Sequence, residues 1–260
     1  MSSILKKRIL ELESMKSYPE NIYYKGNPGL LNRKKVSIVG TRRPNGYTKS
    51  AVMRLASSLS QRGVVVVSGA AMGVDALAHS GAGPKNSIAV LACGINHIYP
   101  KTNSNLINSI EHDGGLILSQ FDPEFTATSW SFVVRNEVVV ALGEVLIVAQ
   151  ADLNSGSMRS VEFAKRMGRP IYVLPHRLGE SEGTNRLLKE GAAKAIYDIE
   201  EFADSFGSLD KDEDEFFKFC RESPSYEETL KKFGQRLFEA ELEGIVTVKD
   251  GRIYLSSSFA

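Results

Sequence analysis

A doubly wound α/β fold, Rossmann-like with a mostly parallel sheet, is what this 260-residue sequence predicts, followed by a small winged-helix domain. Six short apolar runs lack the alternation of a half-wet strand and read as strands buried on both faces. Segments of helical period separate them, the pattern of parallel strands joined by crossover helices. With 42% apolar residues the chain can bury a full core, and its length suggests one large domain plus a small one. The expected division is an N-terminal extension (1–35), the Rossmann-like domain (36–206), an acidic linker (207–215) and the winged helix (216–260).

The first strand is VSIVG, 36 to 40, and it runs into GTRRPNGY, a turn made of arginines and a proline where a nucleotide loop normally has glycines. A helix over 48–62 follows, with Ala51, Leu55 and Leu59 on one apolar face and Gly63 at its end. VVVVSG, 64 to 69, is the second strand, and SGAAMGVDALAH carries Ser68, Gly69 and Gly73 into the next helix. SIAVLAC (87–93) and GLILSQ (115–120) are the third and fourth strands. FTATSWSFVVRNEVVVAL then starts a helix with Trp130, Phe132, Arg135 and Asn136 near its beginning. VLIVAQ (145–150) leads into QADLNSGSMRS, with Ser155, Gly156, Ser157 and Arg159, and PIYVLP (170–175) is the sixth strand. In the tail, SPSYEETLKKFG reads as a capped helix and QRLFEAELEGI as a second, with apolar Leu237, Leu242 and Ile245. VTVKDGRIYL reads as a hairpin around Asp250 and Gly251.

Composition excludes several classes. No apolar run approaches the ~20 residues of a membrane span, and the opening MSSILKKRILELES interrupts its hydrophobics with charges too early for a signal peptide, so a cytoplasmic location is expected. Cys93 and Cys220 stand in no CxxC pair and read as buried thiols; no His/Cys spacing suggests a metal. Net charge is +1, but unevenly spread. Residues 208–260 hold 8 Lys and Arg against 12 Asp and Glu, leaving 24 against 19 for residues 1–207. A polyanion, if one binds, should therefore meet the larger, mildly basic part.

In this architecture ligands bind at the carboxyl ends of strands. Gly69, Gly73, Ser155, Gly156 and Ser157 suit phosphate binding there, since glycines admit close approach and helix starts offer free N–H groups. Neither GxGxxG nor GxxxxGK[ST] occurs, so neither a dinucleotide nor a P-loop triphosphate is supported, and no cofactor is expected. Arg42 and Arg43, after Gly40 and Thr41, would instead suit phosphates running past the mouth of the site, with either arginine pointing inward. Both rings could be core, but Phe132, and less so Trp130, is expected to be partly exposed and to stack on a base while an arginine takes the neighbouring phosphate.

VSIVGTRRPNGY, VVVVSGAAMGVDALAH, IAVLACGINHIYP, the pair Arg135-Asn136, DLNSGSM and RPIYVLPHRLGESEGTNRLLKEGA, with the preamble YPENIYYKGNPGLL, together resemble the DNA-processing protein A (DprA/Smf) family over residues 20–200. The resemblance implies a Rossmann-like domain that binds single-stranded DNA, a homodimer, and help in loading the RecA recombinase onto incoming DNA in natural transformation. It also implies that the Arg42-Arg43 loop, Gly69, Gly73, Arg135, Asn136 and the Ser155–Ser157 turn line the DNA pocket. The sequence departs from the family pattern at Met72, where an arginine is common, at Arg159, where a small hydroxyl residue is usual, and at Glu137, where an arginine often follows Asn136. The family's optional N-terminal helical domain is not expected, with about 35 residues before the first strand. Glu239, Glu241 and Glu243 on the second tail helix disfavour duplex recognition there, so a protein contact or dimer support fits better.

A rival reading is enzymatic. Nucleoside-monophosphate phosphoribohydrolases of the lysine-decarboxylase-like group resemble this layout, and Glu137 and Glu162 would be the two carboxylates flanking an N-glycosidic bond. Their PGGxGTxxE pattern is replaced here by SGSMRSVE. A scaffold without a nucleic-acid site is the third reading.

Overall fold

The apolar runs become strands of one sheet. In the computed structural model, which describes residues 3–209 and 215–256, the strands are β1 (Ser3–Ile4), β2 (Tyr23–Gly26), β3 (Lys35–Val39), β4 (Val65–Ser68), β5 (Ser87–Val90), β6 (Leu116–Ser119), β7 (Leu146–Val148), β8 (Ile171–Val173) and β9 (Lys194–Ala195). They pair in the order β1-β2-β6-β5-β4-β3-β7-β8-β9. All pairings from β6 to β9 are parallel, and β1 and β2 close one edge antiparallel. The sequence is thus a Rossmann-like α/β fold.

The helices are α1 (Gly46–Gln61), α2 (Val74–Ala82), α3 (Ser104–His112), α4 (Ser129–Leu142), α5 (Gly156–Arg166), α6 (Glu182–Lys189) and α7 (Ile199–Asp204). Alternate side chains of β4 explain why the strands are apolar throughout. Val65 and Val67 share a buried cluster with Val138–Leu142 of α4 and Val161 of α5, while Val66 packs with Val52, Leu55 and Leu59 of α1. Both faces are covered, so no position is left for a polar alternation. Residues 3–35, read as an extension, belong to this body. Ile9, Leu12, Met15, Ile22 and Leu30 are buried in the same cluster as α4, and β2 pairs with β6.

α1 starts two residues earlier than expected because Asn45 caps it, its Oδ1 accepting from the Thr48 N–H at 2.8 Å. The chain order sets the place of a site. From β3 the strands step outward through β4, β5 and β6; α4 then crosses back and delivers β7 to the other side of β3. The chain leaving β3 enters α1 on one face of the sheet and the chain leaving β7 enters α5 on the other, which makes this edge the switch point.

Residues 1–208 form one unit and 209–260 a second. In the second, α8 (Glu215–Arg221), α9 (Tyr226–Phe233) and α10 (Gln235–Leu242) precede a hairpin of β10 (Val246–Lys249) and β11 (Arg252–Leu255). Its core is Phe216, Cys220, Leu237, Ala240, Val246 and Ile253. Ser225 and Glu228 make a reciprocal capping box, and Asp250 and Gly251, at φ 49° and 72°, form the two-residue hairpin turn. Leu242, expected on the apolar face of its helix, is 88% exposed instead. Most of the acidic linker falls on residues 210–214, outside the described residues. Cys93 and Cys220 are both buried.

Candidate nucleic-acid interface

Three loops at the carboxyl edge of the sheet are stitched into one surface. The Thr41 N–H donates to the Gln150 carbonyl at 2.8 Å, the Val74 N–H to the Thr41 carbonyl at 3.1 Å, and the Asn45 N–H to Gln150 Oε1 at 3.0 Å. The loops after β3, β4 and β7 thus meet at the switch point. Gly73 allows this: it has φ +79°, and a Cβ there would lie 2.4 Å from the Thr41 carbonyl oxygen and 2.7 Å from Arg42 Cα. Gly40 and Thr41, half-buried, form the root of the first loop, and Arg42 and Arg43 are exposed at its tip.

The two arginines differ. The Arg42 guanidinium lies 5.4 Å from the centroid of the Phe132 ring, near enough for a cation–π contact. The Arg43 N–H donates to Thr41 Oγ1 at 3.2 Å. Phe132 is half-buried on the first turn of α4 and also touches Tyr99, with centroids 5.6 Å apart. Trp130 is the more exposed ring at 55%, the reverse of expectation, because Phe121 and Phe125 hold its edge at the surface.

Arg135, expected to face the ligand, is 4% exposed and points inward. Its Nη1 donates to the Val90 carbonyl at 2.8 Å and to the Gly69 carbonyl, and its Nε to Asn136 Oδ1 at 3.0 Å. It holds the loop after β4 rather than a phosphate. Gly69 is required by that guanidinium, whose Nη1 would stand 1.9 Å from an added Cβ. Asp75, missed in the sequence, compensates the buried charge. Its Oδ2 accepts from the Gly69 and Ala71 N–H groups at 3.2 and 3.4 Å. Burial pushes its carboxyl up from the ordinary carboxylate value, and the charge of Arg135 opposes that shift. Burial likewise pulls Arg135 down; Asp75 opposes this, and the nearby charge of Arg42 adds to it. An acidic residue directly after the glycine loop, GVD, was the available signal for Asp75.

Ser68 also turns out to be internal: it is fully buried and its hydroxyl donates to the Ile38 carbonyl at 2.7 Å. Ser155 is the N-cap of α5 and Gly156 is exposed at its first position, while Ser157 is buried at 9%. Of these, Gly156 leaves the helix start open to an anion. Arg159 is exposed and pairs with Glu162 at 3.0 Å. Glu137 pairs with Arg166 at 3.3 Å and accepts from the Lys16 N–H. The two carboxylates that the enzymatic reading needs are thus each taken up in an ion pair. Met72 is exposed at 45% on the second loop. Among the described residues no group of three His, Cys, Asp or Glu could hold a metal, and no helix is long and apolar enough to cross a membrane.

Fold and site together define a Rossmann-like protein whose switch point carries stitched backbone loops edged by exposed arginines and an aromatic ring, in place of a dinucleotide fingerprint. The chain belongs to the DNA recombination-mediator protein A family, whose model matches residues 7–207. It is 34% identical over 195 residues to DNA processing protein DprA of Bacillus subtilis, covering 73% of this chain and 65% of that one. It is 32% identical over 186 residues to protein Smf of Escherichia coli, covering 70% of this chain and 50% of that one. The chain thus spans between half and just under two thirds of these relatives' length. Among solved structures it is similar to DNA processing protein A from Helicobacter pylori, described for its single-stranded DNA binding mode, with 41% identity, TM-score 0.77, and coverage of 79% of this chain and 95% of that one. DprA from Streptococcus pneumoniae matches at 31% identity and TM-score 0.72 over 80% of this chain and 75% of that one.

Proposed function

We propose that this protein binds single-stranded DNA across the switch-point loops and hands it to the RecA recombinase during DNA uptake, acting as a cytoplasmic homodimer without catalysing a reaction. The observation that carries the reading is the Arg42 guanidinium set over the half-buried Phe132 ring, on the sheet edge that also carries the exposed start of α5 at Gly156. Phosphates take the guanidinium and the helix start, and a base takes the ring; both kinds of contact are indifferent to sequence. The binding mode described for the Helicobacter pylori relative supports this.

Fluorescence anisotropy on single-stranded and duplex oligonucleotides, as a function of salt, tests it. Wild type should prefer the single strand, with log affinity falling about 0.7 per neutralised phosphate per decade of salt. Arg42→Ala together with Arg43→Ala should weaken binding to all sequences alike and lower that slope by one or two contacts. Phe132→Ala should weaken binding with the slope nearly unchanged. Equal affinity for duplex, or no response to the arginine pair, rejects the proposal. Recombinase delivery is read separately, as faster RecA filament formation on strands covered by single-strand binding protein.

A further inference from the structure

We infer that Tyr99 is a second base-stacking platform and that Tyr99 with Lys101 carries the strand beyond Phe132, an extension that rests on the single-stranded DNA reading. Tyr99 is 50% exposed, yet its ring is seated against Phe132 at 5.6 Å with the planes tilted by 59°. A scattered surface aromatic needs no explanation, but this one continues the aromatic surface of the site. Its loop is also fixed to the site. Asn103 Nδ2 donates to the Ala70 carbonyl at 2.9 Å, tying the turn Lys101–Asn103 to the loop after β4 that Arg135 holds. Cys93 Sγ donates to the His97 carbonyl at 3.4 Å from below.

Lys101, exposed and two residues on from Tyr99, supplies a cation next along the chain from this ring, as Arg42 supplies one over Phe132. Single-strand binders use this alternation, with stacked bases on aromatic rings and phosphates on the cations between them. The order Arg42, Phe132, Tyr99, Lys101 gives the strand a path from the switch point towards the end of β5.

The full chain is titrated with a fluorescent oligothymidylate and with an oligonucleotide of the same length whose central positions are abasic. Tyr99→Ala and Tyr99→Leu should each weaken binding to oligothymidylate about tenfold with an unchanged salt slope, and Tyr99→Phe should bind like wild type. On the abasic strand Tyr99→Ala and wild type should agree, because no base remains to stack. Leucine keeps an apolar contact to Phe132, so it decides the matter if the alanine variant melts early. Full affinity of Tyr99→Leu for oligothymidylate, or an equal loss on the abasic strand, overturns the inference while Phe132→Ala still reports on the parent reading. Failure of wild type to bind single strands overturns both.

Discussion

His79 lies fully buried on α2, beside the Ser68 backbone and in the field of Arg135, and burial pushes its imidazole down to about 4 from 6.5. It is therefore neutral in the folded protein at neutral pH. The unfolded chain takes up this proton first as pH falls, so the stabilisation is complete above about 6.5 and is lost between there and about 4. Asp75, whose carboxyl is pushed up, has the opposite sign: its contribution falls as pH rises through the range above its ordinary value. The two partly offset each other, so the informative comparison is with a His79→Gln variant. Urea unfolding near neutral pH and again about two units lower should show wild type losing roughly 2 kcal/mol more than the variant. Parallel losses would mean that burial does not lower the His79 imidazole in the folded state. Arg135 illustrates what a sequence hides at this scale. The pair Arg135-Asn136 at a helix start read as a phosphate contact, but the Val90 and Gly69 carbonyls that capture the guanidinium come from β5 and the loop after β4. Nothing local marks a guanidinium as inward when its partners are main-chain oxygens distant in sequence.

Asn45 couples two elements, since its side chain caps α1 while its N–H holds Gln150 at the end of β7. Only Pro44 separates it from Arg43, so the cap fixes the exit of the arginine loop. Asn45→Ala should cost about 1 kcal/mol in thermal or urea unfolding, and Asn45→Ser should restore most of it. Single-stranded DNA affinity should follow the same order; affinity unchanged in a destabilised alanine variant would show that the loop does not depend on the cap. The strands from β3 to β8 were legible because burial on both faces leaves continuous apolar runs. β2 was not, because Tyr23, Tyr24 and Lys25 sit half-buried at an antiparallel edge and carry no such run, and the two-residue β1 and β9 are too short to leave a pattern. The glycine loops were legible as a set, whereas their joining through Thr41, Val74 and Gln150 depends on strand order, which the sequence does not display.

Across the whole molecule, the residues argued to meet DNA lie in 1–208, where Lys and Arg exceed Asp and Glu by 24 to 19, and the second unit carries the reverse balance of 8 to 12. Each unit has its own buried core, that of the second resting on Phe216, Leu237, Val246 and Ile253. A core that small is marginal by itself, but the larger one has a complete sheet covered on both faces. Ending the chain after Ser208 is therefore expected to leave a folded protein with single-stranded DNA affinity within about threefold of the full chain and the same salt slope. At low salt the truncated form should bind slightly more tightly, because a net negative charge has been removed from the molecule and unscreened repulsion goes with it. Anisotropy at two salt concentrations reads both effects, with sedimentation of the same samples reporting self-association. An affinity loss of an order of magnitude would mean that the acidic unit is part of the binding machinery. If sedimentation showed a dimer falling to a monomer at the same time, the loss would trace to avidity between two Arg42–Phe132 edges and not to missing contacts.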